Sequence, residues 1–253
     1  MKISIITTSY NSVDTIHDTI KSVIAQKYEN IEYLVIDGGS TDGTVQVLNE
    51  YSKSIFKIVS ETDNGIYDAM NKGINLATGE IIGFLNSDDF YVNEKVIEKV
   101  AEVFKKNPSL DSCYSDLVYV DKKNKSKILR YWKSSKFKPG LFSLGWCPPH
   151  PTFFVKRSLY LSKGIFNLNY GYVCDVELMM RYLEIHKISS LYIPEIWIKM
   201  RIGGVTNKKF RNIIMNNQLI FQALNKNNLS YNKFKFILNK ILSRFLQYIR
   251  KKN

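Results

Sequence analysis

Three short stretches of the 253-residue chain combine residue types that can do chemistry. The first is Asp37-Gly38-Gly39-Ser40-Thr41-Asp42-Gly43-Thr44. Its glycines allow close backbone approach to a ligand, and a carboxylate at a strand end can accept hydrogen bonds from a base or from ribose hydroxyls. Gly38 and Gly43 have the spacing of a phosphate-cradling loop, but Thr44 stands where that motif needs Lys, and the stretch is not G-x-G-x-x-G. Neither a Walker ATPase nor a dinucleotide oxidoreductase is supported. The second stretch is Asn86-Ser87-Asp88-Asp89, whose adjacent carboxylates can bind a hard divalent cation shared with substrate phosphates. Such a cation neutralises charge developing on a diphosphate leaving group. The third is Asp175, in Cys174-Asp175-Val176-Glu177-Leu178, a carboxylate able to act as general base toward a hydroxyl. Each stretch also has a plainer reading, as turn formers in the first case and helix caps in the other two.

The elements needed to bring these residues together can be read from the first hundred positions. Short β-branched apolar runs alternate there with helical patterns, the signature of a parallel sheet covered by helices. Strands are expected at 3–8, 31–37, 56–60 and 81–85. Helices are expected from a cap at Asn11 or Ser12 to about 26, over about 42–51, from a cap at Asn64 to 77, and over about 94–107. Ligands of open α/β sheets bind at the carboxyl ends of the strands, so 8–11, 37–42, 61–65 and 86–89 should face one cleft. Beyond residue 112 the pattern loosens, with strands at 117–120 and 152–155, a basic loop at 122–138 and a helix at 176–185. After Gly203-Gly204 it becomes helical and basic, at 210–224 and 234–249.

Taken in order, these stretches resemble glycosyltransferase family 2, whose members adopt the GT-A fold. The likeness runs from Ile5-Ile6-Thr7-Thr8-Ser9-Tyr10-Asn11 through Ser22-Val23-Ile24-Ala25-Gln26 and 37–44. It continues to Ala69-Met70-Asn71-Lys72-Gly73, Ala77-Thr78-Gly79-Glu80 and Phe84-Leu85-Asn86-Ser87-Asp88-Asp89, and Asp175 with Arg181 fits the family's acidic base on its helix. The resemblance implies an α/β fold with a mixed, mostly parallel sheet flanked by helices. A Rossmann-like nucleotide-sugar half (1–90) and an acceptor half (91–205) would form a catalytic domain over 1–205, followed by a basic helical tail at 206–253.

The resemblance also implies roles. Thr8, Tyr10 and Asp37 would contact base and ribose, with Asn11, Gly39 and Ser87 in the same nucleotide site. Asp88 and Asp89 would hold Mn²⁺ or Mg²⁺ and the diphosphate, and Asp175 would deprotonate the acceptor hydroxyl in an inverting transfer. Asn64, His150 and Arg181 are candidates for further substrate contacts; for His150, in Cys147-Pro148-Pro149-His150-Pro151-Thr152, simple packing is the alternative. The chain departs from the family at Gly38, where a second acidic residue is common, so Asp68 becomes an alternative base or ribose contact. It departs again at Asn86, which offers a neutral carbonyl where Asp is usual. The Q-x-x-R-W segment and transmembrane helices of processive synthases are missing, which favours one sugar per encounter. The expected donor is a UDP-sugar and the expected acceptor a lipid-linked oligosaccharide or surface polysaccharide precursor. A sugar-nucleotide nucleotidyltransferase would need a Gly-rich basic loop where Thr8-Ser9-Tyr10-Asn11 stands. A basic nucleic-acid-binding module remains the non-enzymatic alternative, although no nucleic-acid partner is expected.

Composition bounds the setting. The chain is 45% hydrophobic and 13% aromatic, and no apolar run approaches the ~20 residues needed to span a bilayer. The first residues read as a strand rather than a secretory signal, so a cytoplasmic location is expected. Cys113, Cys147 and Cys174 form no C-x-x-C pair and are expected to be reduced. The net charge of +13 is uneven: residues 1–116 carry 10 basic and 18 acidic side chains, whereas 201–253 carry 12 basic and none acidic. Within that tail Phe234, Ile237, Leu238, Ile241, Leu242, Phe245 and Ile249 recur at helical spacing, among Lys233, Lys235, Lys240, Arg244, Arg250, Lys251 and Lys252. Segment 231–253 therefore reads either as an interfacial helix on the anionic inner face of the cytoplasmic membrane or as a stripe packed on the catalytic domain.

Overall fold

The computed structural model describes residues 1–203 and 210–249. Gly204 and the tail cations Arg250, Lys251 and Lys252 lie outside them. The four expected βα units are present: β1 (Ile3–Ser9), α1 (Ile16–Ile24), β2 (Ile31–Asp37), α2 (Thr44–Glu50), β3 (Lys57–Ser60), α3 (Ile66–Leu76) and β4 (Ile81–Phe84). A two-residue strand β5 (Phe90–Tyr91) precedes α4 (Val96–Lys106). Every residue of β1 and β4 is buried, as expected where helices cover both faces of a parallel sheet.

The second half supplies β6 (Ser112–Val120), β7 (Ile128–Trp132), β8 (Phe154–Lys156), α5 (Arg157–Lys163), α6 (Cys174–Met180) and β9 (Ser190–Arg201). Helices α7 (Phe210–Lys226) and α8 (Lys233–Ile249) follow. The nine-stranded sheet runs β3-β2-β1-β4-β8-β6-β9-β5, with β7 paired to β6. β3, β2, β1 and β4 are mutually parallel, β8 is antiparallel to β4 and β6, and β6 and β9 are parallel. One buried cluster under α1 and α4 includes Ile5, Ile20 and Val100; the other, under α3 and α6, includes Ile6, Met70 and Leu178.

Several boundaries differ from expectation for identifiable reasons. Helix α1 starts at Ile16 rather than beside Asn11 or Ser12, because those side chains are engaged elsewhere. Asn11 Oδ1 accepts from the Thr41 amide, and Ser12 Oγ lies 2.8 Å from Ser87 Oγ. Asn64 does not cap α3; its own amide donates to the Asp68 carboxylate at 3.0 Å, and Gly65 occupies the position before the helix. The basic loop at 122–138 contains β7, whose lysine-rich approach hides a hairpin closed on β6. Strand β9 is obscured in sequence by Pro194-Glu195, which fall where the pairing with β6 shifts between Ser115 and Asp116, a bulge that tolerates a residue lacking an N–H.

The tail does not build a core of its own among the described residues. Ile220, Ala223, Leu224 and Phe236 join the cluster that holds α3 and α6. Gly145 (φ 80°) permits the approach of α8, since a Cβ there would lie 2.9 Å from the Phe236 carbonyl oxygen. The same helix turns most of its apolar stripe outward. Phe236 and Gln247 are buried, Lys240 and Arg244 half-buried, while Phe234 (75%), Ile241 (60%) and Phe245 (61%) stand exposed with Leu238, Leu242 and Ile249. The docked face of α8 is largely polar, and its free face is apolar.

Candidate active site

The strand order places β1 between β2 and β4, so the loops after β1 and β4 part at a switch point and open a crevice. The Ser12–Ser87 contact joins these two loops at its floor. A cavity of about 1350 Å³ extends from there to the C-terminal helices. Its wall carries Thr8, Tyr10, Asn11, Gly39, Ser87, Asp88, His150 and Asp175. Thus Asp88, in the turn after β4, and Asp175, on α6, border one space although 87 positions apart.

Asp37, Asn64, Asp68, Asp89 and Arg181 do not line this cavity among the described residues. Asp37 is fully buried and accepts five hydrogen bonds, from Ser9 Oγ, the Gly39 and Ser40 amides, Ser40 Oγ and Ser60 Oγ. Burial alone would raise its carboxyl; the donors from Ser40, Ser60 and Ser9 outweigh that and hold it below the usual range. Asp37 therefore organises the 38–40 turn. Asn64 is exposed, and Asp68 serves the start of α3 and lies 4.0 Å from Lys72. Arg181 pairs with Glu177 at 2.9 Å and donates to the Lys163, Gly164 and Ile165 carbonyls, tying α6 to the segment after α5.

The acidic pair divides its labour. Asp89 sits fully buried behind Asp88, accepts from Asn86 Nδ2 at 3.0 Å, and leaves Oδ1 without a partner. Burial and the Asp88 charge push its carboxyl well above the usual range. Burial also raises Asp88, against the opposing charges of Arg201 and Lys122. Arg201, at the end of β9, fixes this turn by donating to the Asp88 carbonyl (2.5 Å) and pairing with Asp18 of α1. Among the described residues no group of three or more His, Cys, Asp and Glu side chains could hold a metal. The donor set at the turn still fits a cation of the kind that takes most of its ligands from phosphate and water, with Asp88 as the protein ligand and Asp89 buried behind it.

Asp175 accepts from the Val176 amide at 2.8 Å. Its charge acts on Tyr67, Cys147, His150 and Lys240, which surround it. His150 stacks on Phe84 (5.4 Å between centroids) and meets Phe166 edge-on. Burial lowers its pKa against the pull of Asp175, so the imidazole is uncharged at neutral pH, and its Nε2 has no partner.

Wall residues that sequence reasoning missed are Asp63, Tyr67, Arg130, Lys240 and Arg244. Asp63 follows β3 within the 61–65 stretch expected to face the cleft, so a signal existed. It stands against Gly38, where a Cβ would lie 2.6 Å from its Oδ2. A larger residue at 38 would displace it. Lys240 and Arg244 come from the far end of the chain, and only the packing of α8 reveals them.

Comparisons with known proteins bear on the family and the fold. The profile of Glycosyl transferase family 2 matches residues 4–160. A PGL/p-HBAD biosynthesis glycosyltransferase of Mycobacterium bovis (strain BCG / Pasteur 1173P2) is 29% identical over 208 residues, covering 81% of this chain and 78% of that protein. The Escherichia coli UDP-Glc:alpha-D-GlcNAc-diphosphoundecaprenol beta-1,3-glucosyltransferase WfaP is 37% identical over 99 residues, 39% of each chain. The solved structure of mannosyltransferase PcManGT from Pyrobaculum calidifontis, in complex with GDP-Man and Mn²⁺, superposes with a TM-score of 0.66 at 17% identity, over 97% of this chain and 69% of that one. That last likeness is one of fold.

Proposed function

Because the chain belongs to glycosyl transferase family 2 and has an α/β fold of GT-A type, we propose that it transfers one sugar per encounter, with inversion, from a nucleoside-diphosphate sugar to an acceptor hydroxyl. The observation that carries this reading is the shared cavity bordered by Asp88 and Asp175. The nucleotide lies along Thr8, Tyr10, Asn11 and Gly39, with Asp63 as its acidic contact. The diphosphate lies against Ser87 and Asp88. Asp88 would hold a divalent cation, which would supply counter-charge to the leaving diphosphate. Asp175 accepts the proton of the acceptor hydroxyl as its oxygen bonds to the anomeric carbon. The bond from that carbon to the diphosphate oxygen breaks on the opposite face, its electron pair leaving with the nucleotide. Uncharged His150 and Tyr67 wall the space around Asp175 and keep water from competing as acceptor.

The nucleotide is UDP and the acceptor a lipid-linked glycan, a reading supported by the substrates named for WfaP. The exposed apolar face of α8 supports attachment to an anionic membrane surface. Patches of this kind on otherwise polar proteins mark interaction sites, and a tail (206–253) with 11 basic and no acidic side chains complements anionic headgroups. No helix among the described residues is long and apolar enough to cross a membrane.

The test is thermal stabilisation by a panel of nucleotide sugars with and without Mn²⁺ or Mg²⁺. One UDP-sugar should raise the melting temperature only when the cation is present. A panel in which no nucleotide sugar stabilises the protein under either condition overturns the assignment.

A further inference from the structure

Past Asp175 the cavity wall is made by β7 and α8, and it is cationic. Arg130, Lys240 and Arg244 all line it and all are half-buried. Arg130 donates Nε to Gln247 Oε1 at 2.6 Å and lies over Tyr119 (4.5 Å), with Trp132 and Tyr248 at 5.8 Å. Lys240 donates to Asn217 Oδ1 at 2.7 Å. None of the three forms an ion pair with a carboxylate among the described residues, although Arg201 and Arg181 nearby in the fold both do. Arg130 and Arg244 are close enough for their charges to oppose each other, and burial weakens the hold of Arg244 and Lys240 on their protons. Gathering like charges in a partly desolvated wall costs free energy that a bound anion would offset. Two guanidinium forks and an ammonium match the oxygens of a diphosphate.

The ligand's chemistry leaves two sources, the donor's diphosphate or one carried by the acceptor. In the transferase reading the donor's lies against Ser87 and Asp88. Lys240 adjoins Asp175, where the acceptor hydroxyl must sit, and the free face of the helix that carries Lys240 and Arg244 is apolar. We propose that Arg130, Lys240 and Arg244 form a binding site for the diphosphate of a prenyl-diphosphate-linked sugar acceptor, held beside Asp175 while its hydrocarbon follows the outer face of α8. This deepens the transferase reading and rests on it.

Farnesyl diphosphate and farnesol serve as probes, titrated calorimetrically into the full chain saturated with UDP and Mn²⁺. Farnesyl diphosphate should bind while UDP stays bound, and farnesol at least about tenfold more weakly, the ratio expected for losing charged hydrogen bonds. R244Q and K240M should each weaken farnesyl diphosphate about tenfold and change UDP affinity less than about twofold. Arg130 also braces β7 against α8, so R130Q is interpreted only if its melting temperature matches that of the parent; the other two variants carry the test without it. Competition between UDP and farnesyl diphosphate would assign the cations to the donor and overturn the proposal. So would equal binding of farnesol, or variants that bind like the parent. If UDP itself fails to bind the parent, the transferase reading is what has failed; farnesyl diphosphate titrated alone into parent and variants still decides whether the cations hold a diphosphate.

Discussion

Replacing Asp37 with Asn tests whether this carboxylate holds the fold or the ligand. The side chain accepts five hydrogen bonds in the buried turn after β2, from Ser9, Gly39, Ser40 and Ser60. An Asn keeps the shape, its NH₂ group donating to the Ser9 and Ser40 hydroxyls, which can turn to accept, while its oxygen keeps the Gly39 and Ser40 amides and Ser60 Oγ; what is lost is the charge that strengthens all five hydrogen bonds. Hydrogen bonds to a charged group contribute about 1.5–3 kcal/mol against about 0.5–1.5 for neutral ones, so weakening this set should cost D37N about 2–5 kcal/mol. At about 2–4 °C per kcal/mol for a domain of this size, the melting temperature should fall by about 5–15 °C. The pH dependence gives a second reading. The folded carboxyl is held below its ordinary value of 3.8, so its contribution is complete above that value and is lost as pH falls through the depressed one. Parent and variant should therefore converge in acid. Thermal melts at pH 7 and in a descending pH series measure both effects. A variant that melts with the parent at pH 7 yet binds nucleotide far more weakly would refute the argument, because the carboxylate would then be turned toward the ligand.

The remaining predictions concern the cavity and the tail. D175N should lower turnover by about 10²–10⁴-fold with little change in donor KM, since a general base acts in the transition state; a change confined to KM would reassign it. D88N should remove cation-dependent stabilisation by nucleotide sugar, as EDTA should for the parent, whereas retained Mn²⁺ dependence in D88N would exclude Asp88 as the ligand. Lys240 gives up its proton as pH rises through about 8, so farnesyl diphosphate affinity should fall across that value and K240M should flatten the profile; an unchanged slope in the variant removes Lys240 from the site. I241K/F245K, changing side chains exposed by 60% and 61%, should cut co-sedimentation with anionic vesicles by at least about tenfold and leave the melting temperature within about 2 °C, because each loses roughly 2 kcal/mol of apolar burial only when lipid is present. Undiminished sedimentation would show that lipid does not cover this face. Deleting α8 is a poorer test, since Phe236 belongs to the core and Lys240 to the cavity.

The parts of the protein legible in its sequence are those set by local rules. Alternating apolar runs and 3.6-residue periodicity gave the four βα units to within a few residues, and the rule that ligands meet strand ends brought Thr8, Tyr10, Ser87 and Asp88 to one cleft before any coordinates. Some family motifs turned out to serve the fold. Thr78 and Gly79 donate to buried Glu32, whose carboxyl they and Ser4 hold low against the effect of burial, and Asn71 is bonded to the backbone of Phe166.

Which carboxylates face the cavity was settled at longer range. Asp37 and Asp88 both stand at or just past a strand end and look alike in sequence, but Ser9 and Ser60, distant in the chain, turn Asp37 inward, while Asp89 takes the buried position behind Asp88. The same holds for α8. Its periodicity fixed a helix with one apolar stripe, yet that stripe faces outward, because the core had room for Phe236 at Gly145 and the cavity needed Lys240 and Arg244. Periodicity says which residues share a face; what that face meets depends on donors, charges and volumes that only the folded chain brings together.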